Sequence, residues 1–346
     1  MRSLLRRKRD DEMATAKKKR VPRKAPAHDV SAEPLNQAPE WLTRTETVTI
    51  PGTDVQMERR LGDVEDVPSA VPFVFNQDQV KDVSIGVNLG LNIMLTGPTG
   101  CGKTMLIRAL AAFLNQPLIR FNFDGETRKS HLVGQQRPAS VGGVLTLEYV
   151  IGALVIAMQR GMWVLGDEID MMLPGVAGVM QSVLEEGDRS LYIPETGERI
   201  KAHPYFQFFA TGNTLGYRSL ARGRHAGTNP VNDAFLDRFG MVIACDYPPV
   251  EEEVERIKAN CPHVHPLYVA LIGKVAAQLR TDEKFKSDFS TRRCVQWARL
   301  AQEFYPHERA IVRAFDLAVG RKFTSPTDAT VARELLMQLA GYGGQV

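Results

Sequence analysis

The sequence predicts an α/β fold: a parallel five-stranded sheet with helices on both faces, followed by a small all-helical lid domain. Three observations carry this. Short apolar runs alternate with helical periodicity from about residue 76 to residue 245. A glycine-rich turn, Gly97-Pro98-Thr99-Gly100-Cys101-Gly102-Lys103-Thr104, joins the first of these runs to a helix. After Pro248-Pro249 the strand-like runs stop and only helical patterns follow.

The 346 residues, 44% of them apolar, suffice for two domains. No run of 18 uninterrupted apolar residues occurs, so no membrane span is expected. The N-terminus lacks an apolar signal core, which points to a cytoplasmic protein. Cys101, Cys245, Cys261 and Cys294 have no paired spacing and read as reduced thiols. The net charge of +3 is unevenly placed: residues 1–28 hold eleven Lys/Arg against three acids, and the rest holds 32 basic and 37 acidic residues.

Residues 1–45 form a basic tail, charged, proline-broken and poor in large apolar groups, which predicts disorder. It reads either as a solubilising segment or as one that attracts nucleic acid through phosphate contacts by residues 1–28. Met13 is a second plausible start. Residues 46–249 are the expected α/β domain, with 46–64 as an N-terminal hairpin around Pro51-Gly52. A helix follows Asn76, its predicted N-cap. Strands are expected at Asn92–Thr96, Leu118–Phe123, Met162–Gly166, Phe206–Thr211 and Met241–Cys245. Leu147, Val150, Ile151, Leu154, Val155 and Met158 fit one face of a helix, and Val176, Val179, Met180, Val183 and Leu184 fit another. Residues 250–346 are expected to form the lid, with helices near 251–260, 266–280, 291–304, 307–319 and 328–340. Cys294, Trp297, Ala298 and Ala301 make one apolar face there.

The turn 97–104 fits G-x-x-x-x-G-K-[ST] in the strand-to-helix context that this pattern requires. Glycines let successive N–H groups converge on a phosphate chain, and the helix N-terminus adds positive potential. Lys103 can neutralise phosphates, and Thr104 can ligate Mg²⁺. Roughly 60 residues on, the apolar run "MWVLGDEID" ends in acids. Asp167 is placed to help hold Mg²⁺ and Glu168 to orient the attacking water, while Asp170 caps the next helix or serves a subunit contact. The run "YFQFFATGN" ends in Thr211 and Asn213, whose amide can reach the water or the γ-phosphate; a turn role is the alternative. Arg238, Arg292 and Arg293 are either solvated charges or extra cations for phosphoryl transfer, one of them supplied by a neighbouring subunit.

This set resembles the AAA+ ATPases over about residues 65–346, and more narrowly their MoxR-type branch. "RFNFDGETRKSHLVG", "HPYFQFFATGNTLG", "AGTNPVNDAFLDRF" and "STRRCVQWA" are similar to the CobS group, the ATPase subunit of aerobic cobaltochelatase. The resemblance implies that residues 97–104 are the Walker A loop and Asp167 and Glu168 the Walker B acids. It further implies that Asn213 is sensor 1, Arg238 the arginine finger and Arg292 the sensor 2 arginine. ATP and Mg²⁺ as cofactors, a hexameric ring, a partner with a von Willebrand A domain and remodelling as the task follow from it. The basic tail and the arginine-rich "GYRSLARGRHAGT" (Arg218, Arg222, Arg224) depart from the shared pattern. A nucleic-acid-associated motor therefore stays open beside a motor driving a partner protein.

Two lesser signals remain. "CPHVH" (Cys261, His263, His265) hints at a metal or marks a proline-stopped helix end. "GQQRPASVGGVLTLEYV" reads as a loop or hairpin whose Gln135, Gln136 and Arg137 either touch a client or lie passively at the surface.

Overall fold

Alternating apolar residues around Pro51-Gly52 fold as expected: Thr45–Thr49 (β1) pairs antiparallel with Gln56–Arg60 (β2). The computed structural model describes residues 40–141, 144–213, 233–282, 285, 287–307 and 309–341. The basic tail to residue 39 and Arg218, Arg222 and Arg224 lie outside these. Before the hairpin, Glu40–Leu42 is a 3-10 turn whose Leu42 is buried, with a carbonyl that accepts from Arg60 at 2.8 Å.

Helix α1 (Gln77–Asn88) starts where the sequence places it, with the Asn76 side chain accepting the Gln79 N–H at 3.2 Å. Then come Ile93–Thr96 (β3), Lys103–Phe113 (α2), Leu118–Asn122 (β4) and the single turn Lys129–Leu132 (α3). Gly134–Val141 (β5) and Val144–Ile151 (β6) form a hairpin, followed by Ala153–Arg160 (α4) and Trp163–Asp167 (β7). Pro174–Val183 (α5), a second hairpin of Ser190–Ile193 (β8) and Glu198–Lys201 (β9), and Gln207–Gly212 (β10) continue the chain. Asp233–Leu236 (α6) and Met241–Ala244 (β11) complete the sheet-forming part.

One expectation fails here. The helical stripe from Leu147 to Met158 is split: Leu147, Val150 and Ile151 belong to β6, and the helix begins only at Ala153. The alternation of Leu145, Leu147 and Tyr149 is strand-like, and β-branched residues surround it. Gly152 then packs so closely on Leu132 that a Cβ there would fall 2.2 Å from its carbonyl oxygen. Leu145 and Leu147 are 78% and 69% exposed, so the pattern was not a core stripe.

The five parallel strands lie in the order β11-β3-β10-β7-β4. Side chains alternate across the sheet. Met94, Val164, Phe208 and Ala210 join a core with α4 and α5 on one face. Ile93, Leu95, Trp163, Leu165 and Phe209 join one with α1 and α2 on the other. Both faces are buried, as an all-parallel sheet requires. Because the strands run in one direction, Thr96, Asp167, Gly212 and Ala244 end at the same edge. β3 lies where the strand order reverses, and ligands enter open α/β sheets at that crevice.

From Val250 onward the chain is helical: Val250–Asn260 (α7), Pro266–Thr281 (α8), Thr291–Phe304 (α9), Ala310–Ala318 (α10) and Pro326–Leu339 (α11). They share a separate core around Trp297, which is fully buried, meets Phe315 edge-on at 5.0 Å and donates its indole N–H to Ile311 O at 2.9 Å. Among the described residues no helix is long and apolar enough to cross a membrane. Trp297→Ala is expected to cost about 3–5 kcal/mol in urea unfolding, since it opens a cavity and orphans a carbonyl. A loss below about 1 kcal/mol, the level of a surface change, would contradict this packing.

Candidate functional site

The turn after β3 is built from residues whose backbones other residues cannot copy. Gly97 has φ +148°, and a Cβ on it would lie 1.8 Å from the Cys245 carbonyl oxygen at the end of β11. Gly102, the N-cap of α2, has φ +118°, but a Cβ on it would make only ordinary contacts, 3.7 Å from Arg256 Nη1 and 3.9 Å from the Phe73 ring. The loop is thus pressed against β11 at its start, while at its end the neighbours leave room for a methyl group. Cys101 is buried beneath it, and burial pushes its thiol up from the usual range. Burial also pushes Cys245 up to about 12. Neither thiol ionises near neutrality, and Cys101 serves as the small filler its position suggests.

Lys103 opens α2 and is only 7% exposed. Its ammonium curls back over the loop, donating to Gly97 O at 2.7 Å, Pro98 O at 3.0 Å and Asn213 Oδ1 at 3.1 Å. Asn213 follows β10, so the loop lysine and the polar end of a separate strand meet directly. Thr104 donates to Asp167 Oδ1 at 2.8 Å. Thr211 donates to the same oxygen, and the Arg120 guanidinium from β4 clasps Asp167 Oδ2 through Nε at 3.1 Å and through Nη2. Asp167 is buried, and a buried carboxylate stays charged only with such partners.

The chain turns sharply after Asp167. Glu168 sits at φ +57°, the left-handed region, which costs a residue with a Cβ on the order of 1–3 kcal/mol. Its N–H is held by Thr211 Oγ1 at 3.2 Å while its side chain is exposed. Gly166, just before, faces Phe123 so closely that a Cβ would fall 2.7 Å from that ring. Asp170 is buried and accepts the Asn213 N–H at 3.3 Å.

The structure thus brings together Lys103, Thr104, Asp167, Glu168 and Asn213. It does not bring Arg238 to them. That guanidinium pairs with Glu185 at 3.0 Å, donates to Gln181 O at 3.3 Å and reaches Ala234 O. Arg292 is exposed near the start of α9. The N-cap of that helix, Ser290, abuts the loop: a Cβ on Gly100 would fall 2.5 Å from Ser290 Cβ. Arg293 lies over the Phe323 ring at 5.0 Å instead. "CPHVH" is helix-end structure. His265 caps α8 by accepting the Leu267 N–H at 3.3 Å and stacks on Tyr305. Among the described residues no group of three His, Cys, Asp or Glu is arranged for a metal. Gln135, Gln136 and Arg137 lie exposed on β5.

Sequence reasoning missed Arg120, Tyr247 and Arg256. A charged residue inside the apolar run "LIRFN" was the available signal for Arg120. Tyr247 and Arg256 carried none, since only folding brings them to the loop. Both line a cleft of about 430 Å³ between the start of α1 and the segment after β11.

Comparisons with known proteins bear on the family and the fold. The family description "AAA domain (dynein-related subfamily)" matches residues 92–239. The chain is 32% identical over 195 residues to aerobic cobaltochelatase subunit CobS from Sinorhizobium sp, covering 56% of this chain and 58% of that one. It thus spans little more than half the length of that relative. It is 31% identical over 213 residues to the denitrification regulatory protein NirQ from Stutzerimonas stutzeri, covering 61% and 72%. A solved RuvB mutant from Thermotoga maritima superposes with a TM-score of 0.50 at 15% identity over 72% of this chain and 73% of that one, a likeness of fold alone.

Two glycine variants separate packing from conformational freedom. Gly97→Ala should lose about 1–3 kcal/mol to overpacking against Cys245, in addition to about 1–2 kcal/mol for its dihedral. Gly102→Ala should lose the dihedral part alone, about 1–2 kcal/mol. Urea midpoints measure both, and equal losses would contradict the close approach of Gly97 to β11.

Proposed function

The chain belongs to the AAA+ ATPases of the MoxR/CobS type, and from that premise we propose that it hydrolyses Mg²⁺-ATP within a ring of its own copies and passes the motion to a partner protein. The convergence of Lys103, Thr104, Asp167 and Asn213 at one sheet edge carries this reading. A phosphate chain fits the curled loop, whose glycines expose amides beside the N-terminus of an eleven-residue helix. Thr104 and Asp167 fit Mg²⁺, because two hard oxygen donors already meet at 2.8 Å where that helix begins. Bound there, the metal would neutralise phosphate charge.

Each residue then has a task. Lys103 exchanges its contacts with Gly97, Pro98 and Asn213 for phosphate oxygens. Asp167, fixed by Thr211 and Arg120, keeps one oxygen towards Thr104. Glu168 accepts the proton of the attacking water, since its strained turn sends the side chain out of the strand without engaging it elsewhere. Asn213, released from Lys103, reads the terminal phosphate. The base and ribose enter the cleft lined by Asn76, Tyr247 and Arg256. Arg238, held by Glu185 just past the end of α5, acts in trans on a neighbouring copy. Arg292 reads the nucleotide from α9, whose N-cap already touches Gly100. A cobaltochelatase-like complex with a von Willebrand A partner is the specific setting that the CobS likeness suggests.

Glu168→Gln should retain ATP binding and lose about 10²–10⁴-fold in turnover, the usual worth of a general base. Equilibrium binding and phosphate release measure the two. Turnover at the wild-type rate would remove Glu168 from the mechanism.

A further inference from the structure

Two carbonyls of the phosphate loop are tied down from outside it. Thr99 O accepts from the Tyr247 hydroxyl at 2.8 Å, and Cys101 O accepts from Arg256 Nη1 at 3.0 Å. A carbonyl can only accept, so both side chains donate. In a trans peptide the C=O and the following N–H point to opposite sides of the chain. Anchoring Thr99 O and Cys101 O therefore turns the N–H groups of Gly100 and Gly102 the other way. Among the described residues neither of those N–H groups has an acceptor. Unpaired, aligned amides of this kind form an anion-binding nest.

The two donors are themselves braced. Arg256 is buried, pairs with Glu252 at 2.5 Å and lies over the Phe73 ring at 5.9 Å. The Tyr247 ring lies under the Arg280 guanidinium at 4.2 Å. Arg280 pairs with the fully buried Glu253 at 3.0 Å, and Glu253 also accepts from Thr291 at the start of α9. Burial raises the Tyr247 hydroxyl above its usual range, so it remains a donor at neutral pH.

We propose that Tyr247 and Arg256 are positioning residues that pre-orient the Gly100 and Gly102 amides for the phosphate chain. The inference rests on reading residues 97–104 as the nucleotide loop. It makes the helical part after β11 a determinant of phosphate affinity: Tyr247 follows β11 directly and Arg256 sits on α7, so a shift of α7 withdraws a donor from the loop.

The test compares ADP with AMP by calorimetry on the full chain. The ratio of the two affinities isolates the phosphate held by the loop and cancels contacts to base and ribose. Tyr247→Phe, which keeps the ring, should narrow this ratio about three- to tenfold, the worth of one hydrogen bond. Arg256→Gln should narrow it by at least about tenfold, since its hydrogen bond is charge-assisted, and Arg256→Lys should restore part of the ratio. KM for ATP should rise more than kcat falls. Wild-type ratios in Tyr247→Phe and Arg256→Gln, or a lowered melting temperature with the ratio intact, would overturn the assignment and leave the nucleotide reading standing. A wild-type chain without measurable preference for ADP over AMP would overturn that reading, and this inference with it.

Discussion

The site depends on keeping one carboxylate charged inside the protein. Asp167 ends a buried strand, where an ion without partners would cost several kcal/mol. Its partners come from three other places: Thr104 from the start of α2, Thr211 from β10 and Arg120 from β4. None is close in sequence. They converge because parallel pairing sets Asn122 opposite Asp167 and Ala210 opposite Gly166, so all of these strand ends share one edge. Register is therefore part of the chemistry. A one-residue slip of β10 would point Thr211 to the other face and leave Asp167 without that donor.

The same edge explains the strain at Glu168. After five buried strand residues the chain must leave the sheet at once, because β7 is flanked by β10 and β4. A left-handed residue makes that turn, and glycine would make it at lower cost. Glutamate there is a local conflict between conformation and composition, and such conflicts concentrate at functional sites. Gly166 shows the opposite case: the strand contains a glycine because Phe123 and Phe208 fill the space above it.

The strands were legible because each is a short apolar run bounded by turn residues, and a parallel sheet buried on both faces requires that pattern. Asn76 marked a helix start through chemistry that acts within three residues, so that boundary matches closely. The stretch 144–158 misled because a run of Val, Leu, Tyr and Ile satisfies helical and strand spacing at once. Gly152, which separates β6 from α4, was the arbiter. Among site residues, Lys103, Thr104 and Asp167 lie in contiguous motifs. Arg120, Tyr247 and Arg256 act through contacts spanning 47, 148 and 155 positions, which no local pattern encodes.

A count of cations carries the last step. A magnesium-bound triphosphate still needs positive charge at its terminal phosphate in the transition state. In the proposed mechanism Lys103 meets that need within one chain, but the other buried or bridging arginines near the loop are engaged. Arg120 is committed to Asp167, Arg256 to Glu252 and the loop carbonyl, and Arg280 to Glu253. Releasing any of them would strand a partner carboxylate, Asp167 and Glu253 being buried. Arg292 is exposed and costs little to redirect, and Arg238 gives up a pair with the exposed Glu185 and hydrogen bonds to the Gln181 and Ala234 carbonyls, stranding no buried carboxylate. The cations that can move are thus those on α9 and at the end of α6, away from the strand ends. A site whose fixed charges are spent on its own framework must draw its adjustable ones from the helical part or from a second copy of the chain. Under the proposed ring reading, that is the physical basis for coupling turnover to both.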